Sequence, residues 1–199
     1  MVKKVMLATL CLTILSLTAA PAFAQQEQTA EEKEMMEKWK AFATPGEYHK
    51  WMAEKAGEWD AKVTTWMKPG APPEVSKAVA KSEMILGGRY LHTKHTGTMM
   101  GMPFEGGSLS CYDNYKKHFE TLWIDSMGTG FLMTKGNLDD AKKVLKETGV
   151  YDDFMTGKKM KFKNVTTTID DNSFKFEMFM EMPDGKMFKN MEIIYTRKK

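Results

Sequence analysis

The sequence predicts a mainly β protein, an antiparallel up-and-down barrel of ten strands preceded by two short helices. Beyond Gly57 the chain consists of short segments in which apolar and polar residues alternate. Turn-forming residues such as Gly87-Gly88, Asp113-Asn114 and Asp184-Gly185 separate these segments at intervals of roughly 10–12 residues, which is typical of an antiparallel meander. Because a long meander exposes both edges unless it closes on itself, we expect a closed barrel.

Two helical segments precede the predicted strands. The first covers residues 31–43 and carries Met35, Trp39 and Phe42 at helical spacing. A proline ends it and opens the second segment, residues 45–56. The first helix is amphipathic with mixed charge, so we expect it to cover one end of the barrel rather than to bind a membrane.

The strands are predicted from their alternation and from the turns between them. They cover residues 58–67, 74–86, 89–99, 104–112, 118–126, 130–138, 143–152, 158–169, 173–182 and 187–197.

The last predicted hairpin has one face that is almost entirely apolar and rich in methionine. Asp184-Gly185 predicts a two-residue turn, which places Met182 opposite Met187 and Met178 opposite Met191. The same face carries Phe174, Phe176, Met180, Ile193 and Tyr195, together with Lys189. The other face is mostly charged, so we expect a sheet with one solvent-exposed face and one Met-rich face toward the interior.

Gly87-Gly88 predicts a second tight hairpin with a distinct small-residue face. We place inside the barrel the face formed by Ala78, Ala80, Ser82, Met84 and Leu86 opposite Leu91, Thr93, His95 and Gly97. Small side chains there leave space, which favours a ligand cavity over a solid core. The alternative is that Glu83 and His92, on the other face, form a buried polar pair.

The first 24 residues have the organisation of a secretory signal peptide. Lys3 and Lys4 precede an apolar stretch over residues 5–17, and Ala22-Phe23-Ala24 is a small-x-small cleavage site. We expect cleavage after Ala24 and a secreted or periplasmic protein without a membrane span; a retained membrane anchor is the alternative. The mature chain then divides into a helical lead, residues 25–56, and a barrel domain, residues 57–199.

The charge of the mature chain is nearly balanced. Removing Lys3 and Lys4 from the 29 basic residues leaves 27, against 26 acidic residues. No basic patch dominates, so we expect no nucleic-acid partner. The sequence does not predict an oligomeric state.

Cys111 is the one cysteine that remains after the predicted cleavage, so the mature chain has no internal disulfide. It lies in a predicted strand without a cationic neighbour in sequence to activate the thiol. We interpret it as a small structural residue rather than a nucleophile.

The segment Gly57-Glu58-Trp59 resembles the start of the barrels of the calycin superfamily, the lipocalins and their relatives. In those proteins a Gly-x-Trp opens the first strand, and the Trp ring closes the barrel base against an Arg from the end of the fold; Arg197 is the matching residue here.

Four further motifs are similar to the bacterial family known as domain of unknown function 1579. They are Met84-Ile-Leu-Gly-Gly-Arg-Tyr-Leu91, Met99-Met-Gly-Met-Pro-Phe-Glu-Gly106, Trp123-Ile-Asp-Ser-Met-Gly-Thr-Gly130 and Met191-Glu-Ile-Ile-Tyr-Thr-Arg197. The resemblance covers roughly residues 47–199. It implies a compact β-rich domain, often exported, with no known activity and no catalytic residues.

The methionines could in principle bind copper. Met178, Met180 and Met182 share one strand face, and thioether ligands select Cu(I). Phenylalanines share that face, and no histidine lies in the hairpin, so we interpret the methionines as cavity lining. The four histidines lack a metal-ligand spacing. We therefore expect no metal and no other cofactor.

Three polar or aromatic residues are candidates to orient a ligand: His95, Trp123 and Asp125. Asp125 inside an apolar barrel would have a raised pKa and could anchor an amine. The alternative, which we favour, is that Asp125 caps the glycine turn that follows it.

These observations favour a protein that binds a small, mainly apolar ligand inside its barrel. The expected lining residues are Met84, His95, Trp123, Asp125, Phe176, Met178, Met180, Met182, Met191 and Ile193, with Trp59 and Arg197 closing the barrel. Two alternatives stay open: a barrel enzyme that uses His95 and Asp125, and a structural or interaction protein with a solid core. No nucleophile or paired carboxylates are visible, so an enzyme is less expected.

Overall fold

Ten antiparallel strands close into a barrel in the computed structural model, which describes residues 28–199. Two helices precede them, α1 (Ala30–Ala43) and α2 (Glu47–Ala53). The strands are β1 (Gly57–Thr65), β2 (Glu74–Ile85), β3 (Tyr90–Met99), β4 (Met102–Asp113), β5 (His118–Asp125), β6 (Leu132–Leu138), β7 (Val144–Asp152), β8 (Lys159–Asp170), β9 (Ser173–Glu181) and β10 (Met187–Arg197). The predicted fold class is confirmed. The predicted signal peptide, residues 1–24, lies outside the described residues.

Each strand pairs with its neighbours in sequence, and β1 pairs with β10 to close the barrel. The closing register sets Trp59 opposite Arg197 and Val63 opposite Ile193. Since the meander alternates direction, its connections fall at two ends. We call the end with the β1–β2, β3–β4, β5–β6, β7–β8 and β9–β10 connections the mouth, and the other the closed end.

The second helix covers the closed end. Trp51 and Met52 of α2 are buried and pack with Tyr112, Phe119 and Leu145 of the barrel. The Trp51 indole nitrogen also donates a hydrogen bond to the carbonyl oxygen of Lys142 at 2.9 Å. These contacts fill the base of the barrel with large rings.

The first helix does not cover the barrel in the way the sequence predicts. A capping box starts it: the Thr29 hydroxyl accepts from the Glu32 amide, and the Glu32 carboxylate accepts from the Thr29 amide. No residue of α1 is buried, and Trp39 is 62% exposed. Its carboxyl end is held at the closed end, where Asn114 donates to the carbonyl oxygens of Phe42 and Thr44. Covering the end is therefore the role of α2.

Neither helix within residues 28–199 combines the length and apolar character that a membrane span needs.

The Gly87-Gly88 hairpin has the predicted register. Ala80 lies opposite His95 and Ala78 opposite Gly97, and Ala80 and His95 are buried. Leu86, which we expected on the inner face, lies in the turn with a φ of 49° and is 70% exposed.

The last hairpin departs from the predicted two-residue turn. Met178 lies opposite Met191 as expected, but Met187 pairs with Glu181 instead of Met182. The connection is longer because Pro183 has no amide hydrogen to continue the ladder. A bulge between Lys189 and Met191 restores the expected register below it.

The bulge also changes which side chains face inward at the top of β10. Lys189, expected inside, lies on the outer face, where its ammonium nitrogen is 3.1 Å from a Glu177 carboxylate oxygen and 2.6 Å from one of Glu192. Phe188 lies opposite the inward-facing Met180 in its place. The interior of this hairpin is therefore more apolar than the sequence predicts.

Candidate functional site

The centre of the barrel holds a buried histidine–tyrosine pair. His95 Nε2 lies 3.0 Å from the hydroxyl oxygen of Tyr195, and both residues are buried. Ala80 and Gly106 lie opposite His95 on the two neighbouring strands, so small residues flank the ring. Burial lowers the pKa of His95 to about 4, so the imidazole is neutral at neutral pH. Its other nitrogen, Nδ1, is buried without a hydrogen-bond partner among the described residues.

The predicted pair Trp123 and Asp125 lies beside this histidine. The Trp123 and His95 rings are 5.3 Å apart between centroids. Trp123 Nε1 donates to Asp125 Oδ2 at 2.7 Å, while Asp125 Oδ1 accepts from the backbone amide of Met127 at 2.9 Å. A Cβ at Gly106 would come within 2.6 Å of the indole, so this glycine makes room for the ring. Asp125 thus caps the turn and holds the indole, and it does not bond to His95.

A third polar group inside the barrel, Glu147, was not predicted from the sequence. Its carboxylate accepts from the Thr134 hydroxyl at 3.1 Å. Burial raises the pKa of Glu147. Strand alternation carried a signal for it, because Leu145 and Gly149, two residues to either side, face the same way.

Replacing Glu147 by glutamine tests this buried acid. Because the pKa of Glu147 is raised in the folded protein, the unfolded chain releases this proton first as pH rises above about 4.3. The wild-type free energy of unfolding should therefore fall between pH 4 and neutral pH relative to that of Glu147→Gln, which keeps the hydrogen-bond acceptor. Urea unfolding at several pH values measures the difference, with the exposed-site variant Glu74→Gln as control. A constant difference across the pH range would contradict the buried acid.

Asn164 extends the polar region toward the methionines. It lies opposite Glu147 on one neighbouring strand and opposite Met178 on the other. Its side-chain oxygen Oδ1 is buried and accepts no hydrogen bond within the described chain. An unpartnered buried oxygen is costly, so a donor from a bound molecule would be favoured at this position.

The remaining predicted lining residues fall in three places. Phe176, Met178, Met180 and Met191 lie on the inner face of β9 and β10, and all are half-buried, whereas Ile193 is buried. Met84 lies near the closed end and packs with the cluster around Trp51. Met182 lies beyond the end of β9, where its amide donates to the carbonyl oxygen of Lys186.

The two residues expected to close the barrel are in contact. The guanidinium carbon of Arg197 lies 4.1 Å from the centroid of the Trp59 ring, and its nitrogens donate to the carbonyl oxygens of Ala56 and Glu54, each at 2.8 Å. Gly57 is required there, because its φ is +123° and a Cβ would lie 2.7 Å from Arg197 Nη1. A small cavity of about 170 Å³ beside this pair is bordered by Lys55.

A larger groove lies on the outer wall of the barrel, across β6, β7 and β8 near the mouth. It has a volume of about 580 Å³ and an apolar floor that includes Met133, Val150 and Met187. Gly149 leaves a gap in the wall there, through which the edge of the buried Phe162 ring is reached. Lysine side chains at positions 135, 161 and 163 surround the floor.

Comparisons with known proteins bear on the family and not on an activity. The model of the family described as protein of unknown function DUF1579 matches residues 44–197. A search of curated proteins gave no match. Among solved structures, a redesigned β-barrel is similar over 74% of this chain and 95% of its own, with 15% sequence identity and a TM-score of 0.38. Because the family match spans α2 and all ten strands, the chain belongs to the DUF1579 family of proteins of unknown function.

Proposed function

We propose that this protein is exported and binds a small, mainly apolar molecule with one polar group inside its barrel. The observation that carries the proposal is a pair of buried polar atoms without partners, His95 Nδ1 and Asn164 Oδ1, two of the four such side-chain atoms among the described residues. They lie on an inner wall that also carries half-buried thioethers. Ligand sites combine mostly apolar lining with a few placed polar groups in this way.

The apolar part of the ligand would lie against the inner face of β9 and β10. Phe176, Met178, Met180 and Met191 keep some accessible surface although they point into a closed sheet. Methionine side chains are flexible and polarizable, so they adapt to ligands of varied shape. The Met-rich face thus supports contact with the apolar part of a ligand and not directional hydrogen bonds to a polar group.

The polar end of the ligand would meet the side chains at the centre of the barrel. Asn164 Oδ1 can accept a hydrogen bond, and the neutral His95 ring can accept or donate at Nδ1 according to its tautomer. Asp125 is less suited, since both of its oxygens are already bonded to Trp123 and Met127. A single hydroxyl or amide on the ligand would satisfy these groups.

Native mass spectrometry of the protein purified from the export compartment of its own host tests the proposal. We expect the mass of a chain that begins at Gln25, together with an additional mass that is released on denaturation. The same spectrum reports bound copper. A bare chain in every preparation would count against ligand binding, and an uncleaved or cytoplasmic chain would count against export.

A substitution on the inner face of β9 gives an independent test. We expect Met178→Trp to weaken binding of the fluorescent probe N-phenyl-1-naphthylamine by about tenfold or more, since the larger ring occupies the space of the probe. The matched control is Thr196→Trp, on the outer face of β10, where Thr196 is exposed. Fluorescence titration measures both. Equal probe affinity in the two variants and in the wild type would place the probe elsewhere and contradict the internal site.

A further inference from the structure

The groove on the outer wall of the barrel, which we call the outer groove, is a candidate binding site separate from the interior. Its volume of about 580 Å³ lies within the range of roughly 300–1,000 Å³ that small-molecule sites occupy. Its lining comes mainly from β6, β7 and β8, with Glu120 of β5 and Met187 of β10 at its borders. A site of this size fits a small molecule better than a protein partner.

The part of the outer groove nearer the mouth is apolar. Met133 on β6 and Val150 on β7 are neighbours there, because the residues next to them along the chain lie opposite each other. Met133, Val150 and Met187 are all exposed. Methionine is flexible and polarizable, so this floor can adapt to the shape of an alkyl chain.

The part of the outer groove farther from the mouth carries hydrogen-bond donors. Thr148 lies opposite Lys135 of β6 on one side and opposite Lys163 of β8 on the other. Directly opposite side chains have Cβ atoms about 5 Å apart, so both ammonium groups can reach a group bound above Thr148. The Thr148 hydroxyl adds a further donor. We call these three residues the lysine row, and Val150 follows it on the same face of β7.

The charge of the lysine row remains when the neighbouring acids are counted. Glu120 lies opposite Lys135, but its carboxylate oxygen is 2.8 Å from Lys116 Nζ and 3.0 Å from His118 Nε2. The acids on the outer faces of β7 and β9 have lysine partners of their own. These pairs are Asp152 with Lys159 at 2.9 Å, Glu177 with Lys175 at 3.1 Å and Glu181 with Lys161 at 3.8 Å.

Two ammonium groups therefore stay unpaired beside the apolar floor. Lys135 has no salt-bridge partner among residues 28–199, and neither has Lys163, which lies over the ring of Phe179. An anion bound between these two lysines would balance their charge, while an apolar chain attached to it would cover the floor. The outer groove thus matches the charge and the shape of an amphiphile with an anionic head.

The donors of the lysine row suit a carboxylate. Phosphate sites commonly use a helix N-terminus or a run of free backbone amides. Here the strands bond to each other across the sheet, and α1 and α2 contribute no lining residue. Two ammonium groups on either side of one hydroxyl match the two oxygens and the single charge of a carboxylate.

We propose that the outer groove binds the anion of a single-chain fatty acid. The carboxylate lies above Thr148, between the ammonium groups of Lys135 and Lys163, and the chain runs over Val150 toward the mouth. Burial of the chain supplies most of the affinity, and the lysine row selects the anion over a neutral or cationic amphiphile. This inference does not depend on a ligand inside the barrel.

NMR titration of the protein with methyl-labelled methionine tests the proposal, because methionines report on both locations. The signals of Met133 and Met187 follow the outer groove, and those of Met178 and Met191 follow the interior. We expect decanoate to shift the first pair until the site is saturated. Measured at these two signals, 1-decanol should bind about tenfold more weakly, since it lacks the charge that two exposed lysines attract.

A double substitution in the lysine row tests the charge preference. Lys135→Gln with Lys163→Gln should weaken decanoate binding at the Met133 signal by about tenfold and leave 1-decanol binding unchanged. The matched control is Lys62→Gln with Lys77→Gln, a pair of opposite lysines on the outer faces of β1 and β2. This control should bind decanoate like the wild type. Added salt should weaken decanoate binding to the wild type.

A second pair of variants tests the apolar floor. Val150→Trp places a larger ring in the outer groove and should weaken both decanoate and 1-decanol at the Met187 signal by about tenfold or more. Val75→Trp is the control, because Val75 is 55% exposed on β2 and Val150 is 54% exposed on β7. Urea unfolding confirms that all the variants are folded.

Three outcomes would overturn the proposal. The first is absence of decanoate-induced shifts at Met133 and Met187. The second is a set of shifts confined to Met178 and Met191, which would assign the anion to the interior of the barrel. The third is an equal loss of decanoate affinity in the two double-lysine variants, which would reduce the preference to the overall charge of the protein.

Discussion

Trp59→Ala is expected to lower the free energy of unfolding by about 4 kcal/mol, the range for removing a buried tryptophan. Trp59 is 1% exposed, and its indole nitrogen donates to the Lys55 carbonyl oxygen at 2.9 Å. The ring packs between the Phe174 ring, with centroids 4.7 Å apart, and the guanidinium of Arg197. Its loss therefore leaves a cavity at the seam where β1 meets β10, and it removes the surface on which Arg197 lies.

Urea unfolding measures this effect, and Trp39→Ala is its matched control. Trp39 is the same residue type at an exposed site of α1, so its substitution should change the free energy of unfolding by no more than about 0.5 kcal/mol. Similar losses in the two variants would mean that Trp59 does not close the barrel. The loss of unfolding free energy in Arg197→Lys should lie between those of the two tryptophan variants. A lysine keeps the charge but cannot donate to two carbonyl groups in the geometry of a guanidinium.

Gly136→Ala should destabilise the barrel by about 3 kcal/mol or more. A Cβ at this position would overlap the Lys146 carbonyl oxygen and lie 2.6 Å from the Glu147 Cα atom. Both are backbone atoms of the paired strand, so the clash cannot be relieved by rotating a side chain. The two strands would have to separate next to the buried carboxylate of Glu147.

Gly128→Ala serves as the control for this prediction. No atom lies within 4 Å of a Cβ added at Gly128, which is in a mouth connection. Its free energy of unfolding should stay within about 0.5 kcal/mol of the wild-type value. An equally small change in the free energy of unfolding for Gly136→Ala would contradict the close approach of the β6 and β7 backbones at this position.

Much of the barrel follows from local signals in the sequence. The turn at Gly87-Gly88 and strict alternation were sufficient to predict the register of β2 with β3, including Ala80 opposite His95. The resemblance of Gly57-Glu58-Trp59 to the start of calycin barrels predicted that Trp59 and Arg197 meet, and they lie opposite each other where the barrel closes. These features depend on neighbours in sequence or on one recognisable motif.

The features that were missed depend on the geometry of the closed sheet. The bulge at Asn190 moves Lys189 outward, and nothing in the alternation of β10 signals an extra residue. Glu147 faces inward although a charged residue on a strand normally predicts solvent, and there the Thr134 hydroxyl donates a hydrogen bond to it. The first helix carries an apolar stripe but is left exposed, since the shorter α2 already fills the closed end.

The position of the first and last residues of the barrel has a practical consequence. The chain enters β1 directly from α2, and β10 finishes where Arg197 reaches the carbonyl groups of Glu54 and Ala56. Both ends of the barrel's polypeptide therefore leave from the same pole. A sensor surface, fluorophore or fusion partner attached through the carboxyl terminus would orient every molecule alike, with the opposite pole pointing into the medium and free for titration.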